Sequence, residues 1–176
     1  LGAVELSVAL NFVFDFPHDN LVFDVGHQCY AHKLLTGRYK AFNTLRKKGG
    51  ISGFPKREES EFDFYNVGHA GTSVSAALGI AKARDIKGEN FNVIALIGDG
   101  SFNNGLIYEA FNSLRVLNTR ILLIINDNGM SIAPTVGSMH EYLQLLSEND
   151  ERKQKNARNS SIFGRFGFAY DGVYDG

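Results

Sequence analysis

The 176 residues are enough for one domain, and at this length roughly 70% of the unfolded surface can be buried, so a core forms without staples. Lys and Arg total 18 against 19 Asp and Glu, a net charge of -1, which leaves no global field to grip nucleic acid or an anionic membrane and confines any anion site to a local cluster. The single cysteine, Cys29, excludes an internal disulfide and a Cys-based zinc site, and suits a reducing cytosol. Charges interrupt every hydrophobic stretch before it reaches membrane-spanning length, and the start carries no signal-peptide pattern, so the expected location is cytoplasmic. The chain opens on Leu1 inside an apolar-periodic segment and closes on the turn Val173-Tyr174-Asp175-Gly176; both ends read as cut, and the expectation is a piece of a longer protein.

Val4, Val8, Phe12 and Val13 recur near helical spacing and predict a helix over 1–14, followed by a loop from Phe16 to Asn20. Leu21 to Val25 reads as a short buried strand running into Gly26-His27-Gln28. Helical stretches follow around His32 to Leu35 and Ala41 to Lys47, and Arg46-Lys47-Lys48 reads as a solvated helix end. Gly49 to Pro55 is loop, continued by the polar run Lys56 to Glu61. Gly71 to Arg84 is a helix of small residues, which suits close packing in a core and equally a helix start that approaches a ligand. Val93 to Ile97 and Ile121 to Ile125 are fully apolar strands on either side of a helix over 104–117. That strand–helix–strand pattern belongs to an α/β fold with a mainly parallel sheet, helices on both faces, and these two strands at its centre. His140 to Leu146 is a short helix. The whole, 1–176, reads as a single domain in which 148–159 is a linker or a join over a missing segment, with globular composition resuming from Phe163 to Tyr170.

In such sheets ligands bind beyond the carboxyl ends of the strands. Two of those ends carry oxygen ligands, Asp99 between Gly98 and Gly100, and Asn128 after the second strand. The glycines permit a sharp turn with exposed N–H groups, and the helix that follows aims its N-terminus at the same place. One carboxylate, one amide oxygen and nearby N–H donors suit Mg²⁺ bridged to phosphate better than a closed calcium cage. Gly-Asp-Gly and Asn-Asp-Asn-Gly are also ordinary turn chemistry, and at this point both readings stand. The glycine spacing is neither the dinucleotide fingerprint nor a Walker loop.

Gly98-Asp99-Gly100 followed by Asn128 resembles the thiamine-diphosphate fingerprint. Further segments resemble the 1-deoxy-D-xylulose-5-phosphate synthase family: Phe23-Asp24-Val25-Gly26-His27-Gln28, His32 to Arg38, Gly49 to Lys56, Gly68-His69-Ala70-Gly71-Thr72-Ser73, and Asn126 to Ile132. The last of these separates it from transketolases, leaving a transketolase-type half-subunit as an alternative reading beside a non-catalytic cofactor-binding or structural partner module. The resemblance covers Leu1 to about Leu146 and resumes from Phe163.

The resemblance implies the thiamine-diphosphate-binding fold and a homodimeric transferase of isoprenoid-precursor and thiamine biosynthesis. Such an enzyme joins pyruvate to glyceraldehyde 3-phosphate with release of carbon dioxide. It implies thiamine diphosphate and Mg²⁺ as cofactors, with Asp99, Asn128 and the backbone carbonyl of Met130 on the metal. Gly68, His69, Ala70, Gly100, Ser101 and Asn128 fall on cofactor-contacting positions, and His27 and His69 on positions near the reacting end. Cys29 and His32 read as packing or surface residues rather than ligands. The family also uses a glutamate from a later domain, and no residue of these 176 matches it. Gly129 replaces the family's usual Glu, Ala70 often stands as Ser, Ser101 to Asn104 differs from the usual stretch, and the family's segment between Leu146 and Phe163 is longer.

Overall fold

The structure is a computed structural model that describes residues 2–131, 133–134, 136–147 and 161–174, with the backbone alone at 130, 131, 133 and 134. The expected linker at 148–159 lies outside the described residues. Three parallel strands, β1 (Asn20–Phe23), β2 (Val93–Gly98) and β3 (Leu122–Asn126), form a sheet in the order β1-β2-β3. Val22 lies opposite Ala95, Ala95 opposite Leu123, and Gly98 opposite Asn126. α1 (Val4–Val13) precedes β1; α2 (Tyr30–Leu35) and α3 (Ser73–Lys87) lie between β1 and β2, and the short turn α4 (Asp99–Phe102) and α5 (Gly105–Leu117) between β2 and β3. A two-stranded antiparallel pair, β4 (Met130–Ser131) with β5 (Ala133–Pro134), precedes α6 (Ser138–Ser147), and α7 (Ile162–Phe166) packs on α5.

Every residue of β2 is buried, and the strand's two-residue period divides its side chains between two cores. Ile94 and Leu96 point with Leu21 and Phe23 toward Leu10 of α1 and Cys29. Val93, Ala95 and Ile97 point with Val22 toward Val74, Ala77, Leu78 and Ala81 of α3 and Phe111 of α5. Helices therefore cover both faces, as the apolar strands predict. The small residues of α3 bring it close to β2 and α5, with Ala77 and Ala81 fully buried. α5 buries Ile107, Ala110, Phe111 and Leu114, spaced three and four apart on one face.

The bounds of α3 and the place of β3 in the sheet depart from expectation for physical reasons. α3 begins two residues late because Gly71 sits at φ 88°, outside the helical region, and it runs on to Lys87 before Gly88 closes it in the left-handed conformation. β3 is adjacent to β2 as expected but forms an edge of the sheet rather than its centre, and Leu122 is 42% exposed. Apolar character on both faces of a strand reports what packs above and below it; it carries no information on lateral pairing. Among the described residues, no helix is long and apolar enough to cross a membrane.

The long excursion between α2 and α3 is strapped down by buried charge. The Lys33 ammonium, wholly buried, donates to Glu59 Oε2 at 2.6 Å. Arg38 makes a two-pronged pair with Asp63 at 2.6 and 3.0 Å. The same carboxylates accept backbone N–H groups from the loop, Glu59 from Ser52 and Asp63 from Lys56. Two cations and two carboxylates balance, which is what makes such burial tolerable. His32 lies in the same cluster, with Nε2 donating to the Phe62 carbonyl at 3.3 Å and 3.7 Å from Asp63. It is a packing residue, as expected, and so is Cys29, whose thiol burial pushes up to about 12. Arg46-Lys47-Lys48 is solvated as expected, but lies in a turn after a 3₁₀ segment (Arg38–Thr44) rather than on a helix.

Burial holds His32 below the ordinary imidazole range, against the opposing pull of Asp63. The unfolded chain therefore takes up a proton that the folded chain resists, and stability is lost as pH falls below about 6.5. Denaturant titrations across that range should show decreasing unfolding free energy toward acid. His32→Gln, which keeps a donor for the Phe62 carbonyl, should flatten this dependence, and an unchanged profile in the variant would contradict the assignment.

Candidate functional site

Because the three strands are parallel, their carboxyl ends share one edge of the sheet. β1 runs into Asp24 and then the 3₁₀ turn His27–Cys29, β2 into Asp99, and β3 into the segment 126–130. Gly98 and Asn126 are paired residues, so Asp99 and the start of that segment begin side by side. Asp99 is buried at the first position of α4, Ser101 is buried beside it, and Gly100 is half-buried. Phe102, wholly buried, anchors this turn against Phe111 and Phe163 with ring centroids 6.2 and 5.6 Å apart. The turn packs against the end of β3 and against β4, which places the backbone of Met130 next to Asp99's own turn. Asn128 is exposed in the intervening loop, where the Gly129 N–H donates to Asp127 Oδ1 at 2.9 Å and Gly129 takes φ 67°. Glycine adopts that conformation without strain, which accounts locally for its presence where the family has Glu.

The expected use of the Gly-Asp-Gly glycines is corrected by the backbone. Gly98 has φ −93° and ψ 163°, an extended conformation open to any residue. The near neighbour at position 98 is a side chain: a Cβ there would lie 3.2 Å from Gln28 Nε2 and press on it. Nor does a long helix start directly at the turn. α4 is four residues long, and the N-terminus of α5 is capped by its own Asn104, whose Oδ1 accepts from the Leu106 N–H at 3.0 Å.

The loop Gly68-His69-Ala70 is brought to the same edge by two side chains that sequence reasoning passed over. Asp24, fully buried, accepts from the Gly71 N–H at 2.7 Å with Oδ2 and from the Ser73 N–H at 3.0 Å with Oδ1. Asn104 Nδ2 donates to the Ala70 carbonyl at 3.1 Å. Gly71 is needed here twice over, for its φ and because a Cβ would lie 2.6 Å from Asn104 Cγ. His69 and Gly68 are exposed, Ala70 is half-buried, and the His69 ring lies with Nδ1 2.6 Å from the Ala70 carbonyl. A carbonyl only accepts, so Nδ1 is the donor in this contact.

His27 is exposed at the first position of its turn, while Gln28 and Cys29 behind it are buried. The turn is fixed from below, since a Cβ on Gly26 would lie 2.3 Å from the Gly53 carbonyl oxygen. The loop Gly49–Pro55 thus supports the His27 turn.

The helix-capping place of Asn104, ahead of an amphipathic run, is legible in the sequence. Its second contact, to Ala70, is not. Among the described residues no group of three or more His, Cys, Asp and Glu side chains has metal-holding geometry. The oxygen donors expected at this edge are one carboxylate, one amide and a backbone carbonyl, a set of a different kind.

The sequence profile of the 1-deoxy-D-xylulose-5-phosphate synthase family matches residues 1–168. The 1-deoxy-D-xylulose-5-phosphate synthase of Dictyoglomus turgidum is 53% identical over 168 residues, covering 92% of this chain and 27% of that protein. That of Carboxydothermus hydrogenoformans is 56% identical over 146 residues, covering 83% and 24%. The chain thus spans about a quarter of the length of these relatives. Among solved structures, a transketolase variant from Pichia stipitis superposes with a TM-score of 0.56 at 20% identity, over 70% of this chain and 22% of the transketolase. That likeness shows the α/β fold. The profile match and the identities, over nearly all of these residues, make the chain a member of the 1-deoxy-D-xylulose-5-phosphate synthase family.

Proposed function

We propose that the chain is the domain that anchors thiamine diphosphate, through Mg²⁺, in an enzyme that makes 1-deoxy-D-xylulose 5-phosphate from pyruvate and glyceraldehyde 3-phosphate. The observation that carries this reading is the convergence at one sheet edge of the His27 turn, the Asp99 turn and the 126–130 segment, with the Gly68–Ala70 loop tied in by Asp24 and Asn104.

The donor set fits the ion. Mg²⁺ takes oxygen ligands at about 2.1 Å and keeps several positions for water and phosphate. Asp99 supplies the charge, Asn128 and the Met130 carbonyl supply neutral oxygens, and few protein ligands leave room for a diphosphate. Gly100, Ser101, Gly68 and Ala70 line the approach to it, and the clamp on Ala70 holds that backbone in place before any ligand arrives. Bound there, thiamine diphosphate supplies the carbon nucleophile for joining the two substrates with loss of carbon dioxide. This chain's imidazoles hold protons at the other end of the crevice: His69, whose Nδ1 donates to the Ala70 carbonyl, presents Nε2, and His27, exposed at its turn, faces the substrates. Homodimerisation, a cytoplasmic setting and completion of the site by a later domain belong to the same proposal and rest on the family resemblance.

Asp99→Ala should abolish Mg²⁺-dependent binding of thiamine diphosphate in calorimetric titration, because it removes the one charged oxygen donor of the proposed set. An unchanged titration would count against the site. The 176-residue polypeptide alone, given thiamine diphosphate, Mg²⁺, pyruvate and glyceraldehyde 3-phosphate, should form no 1-deoxy-D-xylulose 5-phosphate at a useful rate. A positioned proton-transfer group contributes roughly 10²–10⁴-fold, and these residues include no match to the family's glutamate. Robust product formation with no other polypeptide present would contradict this.

A further inference from the structure

Gln28 lies between two parts of the site without belonging to either. It follows His27 in the 3₁₀ turn, is 7% exposed, and extends toward the carboxyl end of β2. The side chains of Ile94 and Leu96 point toward α1, and the strand's period puts the side-chain direction of residue 98 on the same face. Gln28 Nε2 occupies that direction, 3.2 Å from where a Cβ at 98 would lie. A Cβ at 98 would thus press on the Gln28 carboxamide, which would have to give by a few tenths of an ångström, while the backbone angles there suit any residue.

A second observation bears on how Gln28 is held. Its Oε1 is buried and makes no hydrogen bond among the described residues. The carboxamide is therefore located by shape, and Gly98 forms part of its seat. The other two residues of the turn do not reach β2's end in this way. His27 is exposed, and Cys29 packs in the core with Leu10, Phe23 and Leu96.

Resting on the function proposed above, we propose that Gln28 is a positioning residue. Its side chain fills the space left empty at residue 98 and so sets the spacing between the His27 turn and the Asp99 turn. Nothing in the reaction passes through it; it acts through the placement of the two turns that it separates.

The test is a double-substitution cycle on the 176-residue chain with Gly98→Ala, Gln28→Ala and the pair together. Three readouts are taken: the His27 imidazole resonances of the ligand-free chain by NMR, the dissociation constant for thiamine diphosphate with Mg²⁺ by calorimetry, and the melting temperature. Gly98→Ala should move the His27 resonances and weaken binding by about tenfold, within the coupling found between contacting residues. Adding Gln28→Ala should return the resonances toward the unsubstituted chain and recover most of the affinity, since the new methyl enters vacated space. Gln28→Met keeps the length and removes the unpartnered acceptor, so it should raise the melting temperature while leaving resonances and affinity near those of the unsubstituted chain.

Strictly additive effects of the two substitutions, unmoved His27 resonances in Gly98→Ala, or loss of affinity in Gln28→Met would each overturn the proposal. If the unsubstituted chain binds no thiamine diphosphate, the proposed function falls, while the His27 resonances still decide the role of Gln28.

Discussion

The buried carboxylate of Asp24 is the contact on which the arrangement of the site depends. It stands at the end of β1 and accepts two backbone N–H groups from a segment 47 and 49 residues further along the chain. A buried acceptor of two backbone N–H groups leaves a heavy penalty if those partners are withdrawn. Through it the start of α3 is fixed to the central sheet, and the Gly68–Ala70 loop, which has no regular structure of its own, comes to rest at the strand ends. Asn104 completes the fixation from the other side, capping α5 while holding the Ala70 carbonyl. Strand direction supplies the rest, because parallel pairing gathers three strand ends on one edge.

The ion-pair cluster beneath the His27 turn has a complementary role. Lys33, Arg38, Glu59 and Asp63 hold the long excursion between α2 and α3, and the Gly49–Pro55 loop of that excursion closes on Gly26. Buried pairs of this kind contribute less to net stability than their Coulomb attraction suggests, yet removing one partner is costly. Here they define where an otherwise irregular segment of chain lies, and with it the support of an exposed histidine.

Much of this was legible in the sequence. The two apolar strands, the helix between them and the oxygen ligands at their ends announce a parallel sheet with its crevice at the carboxyl edge, and the motifs around His27, His69, Asp99 and Asn128 carry the family. What stayed hidden follows from contacts between distant residues. Neither the pairing of Gly71 with Asn104 nor that of Gly98 with Gln28 leaves a local signal, since each glycine looks like turn chemistry and meets a side chain from elsewhere in the chain. Asp24 reads as a strand-end residue until its partners are seen. β3's edge position is equally unreadable, because its apolar sequence is set by what covers its faces.

The central claim is that Asp99 and Asn128 hold one divalent cation that anchors a diphosphate. Crystals of the chain grown with thiamine diphosphate and Mn²⁺ in place of Mg²⁺ test it directly, since manganese reveals its position by anomalous scattering. The account predicts one strong peak within coordination distance of an Asp99 carboxylate oxygen, the Asn128 amide oxygen and the Met130 carbonyl, bridged to the diphosphate. A diphosphate bound with its cation away from Asp99, or with Asp99 and Asn128 directed apart, would contradict it.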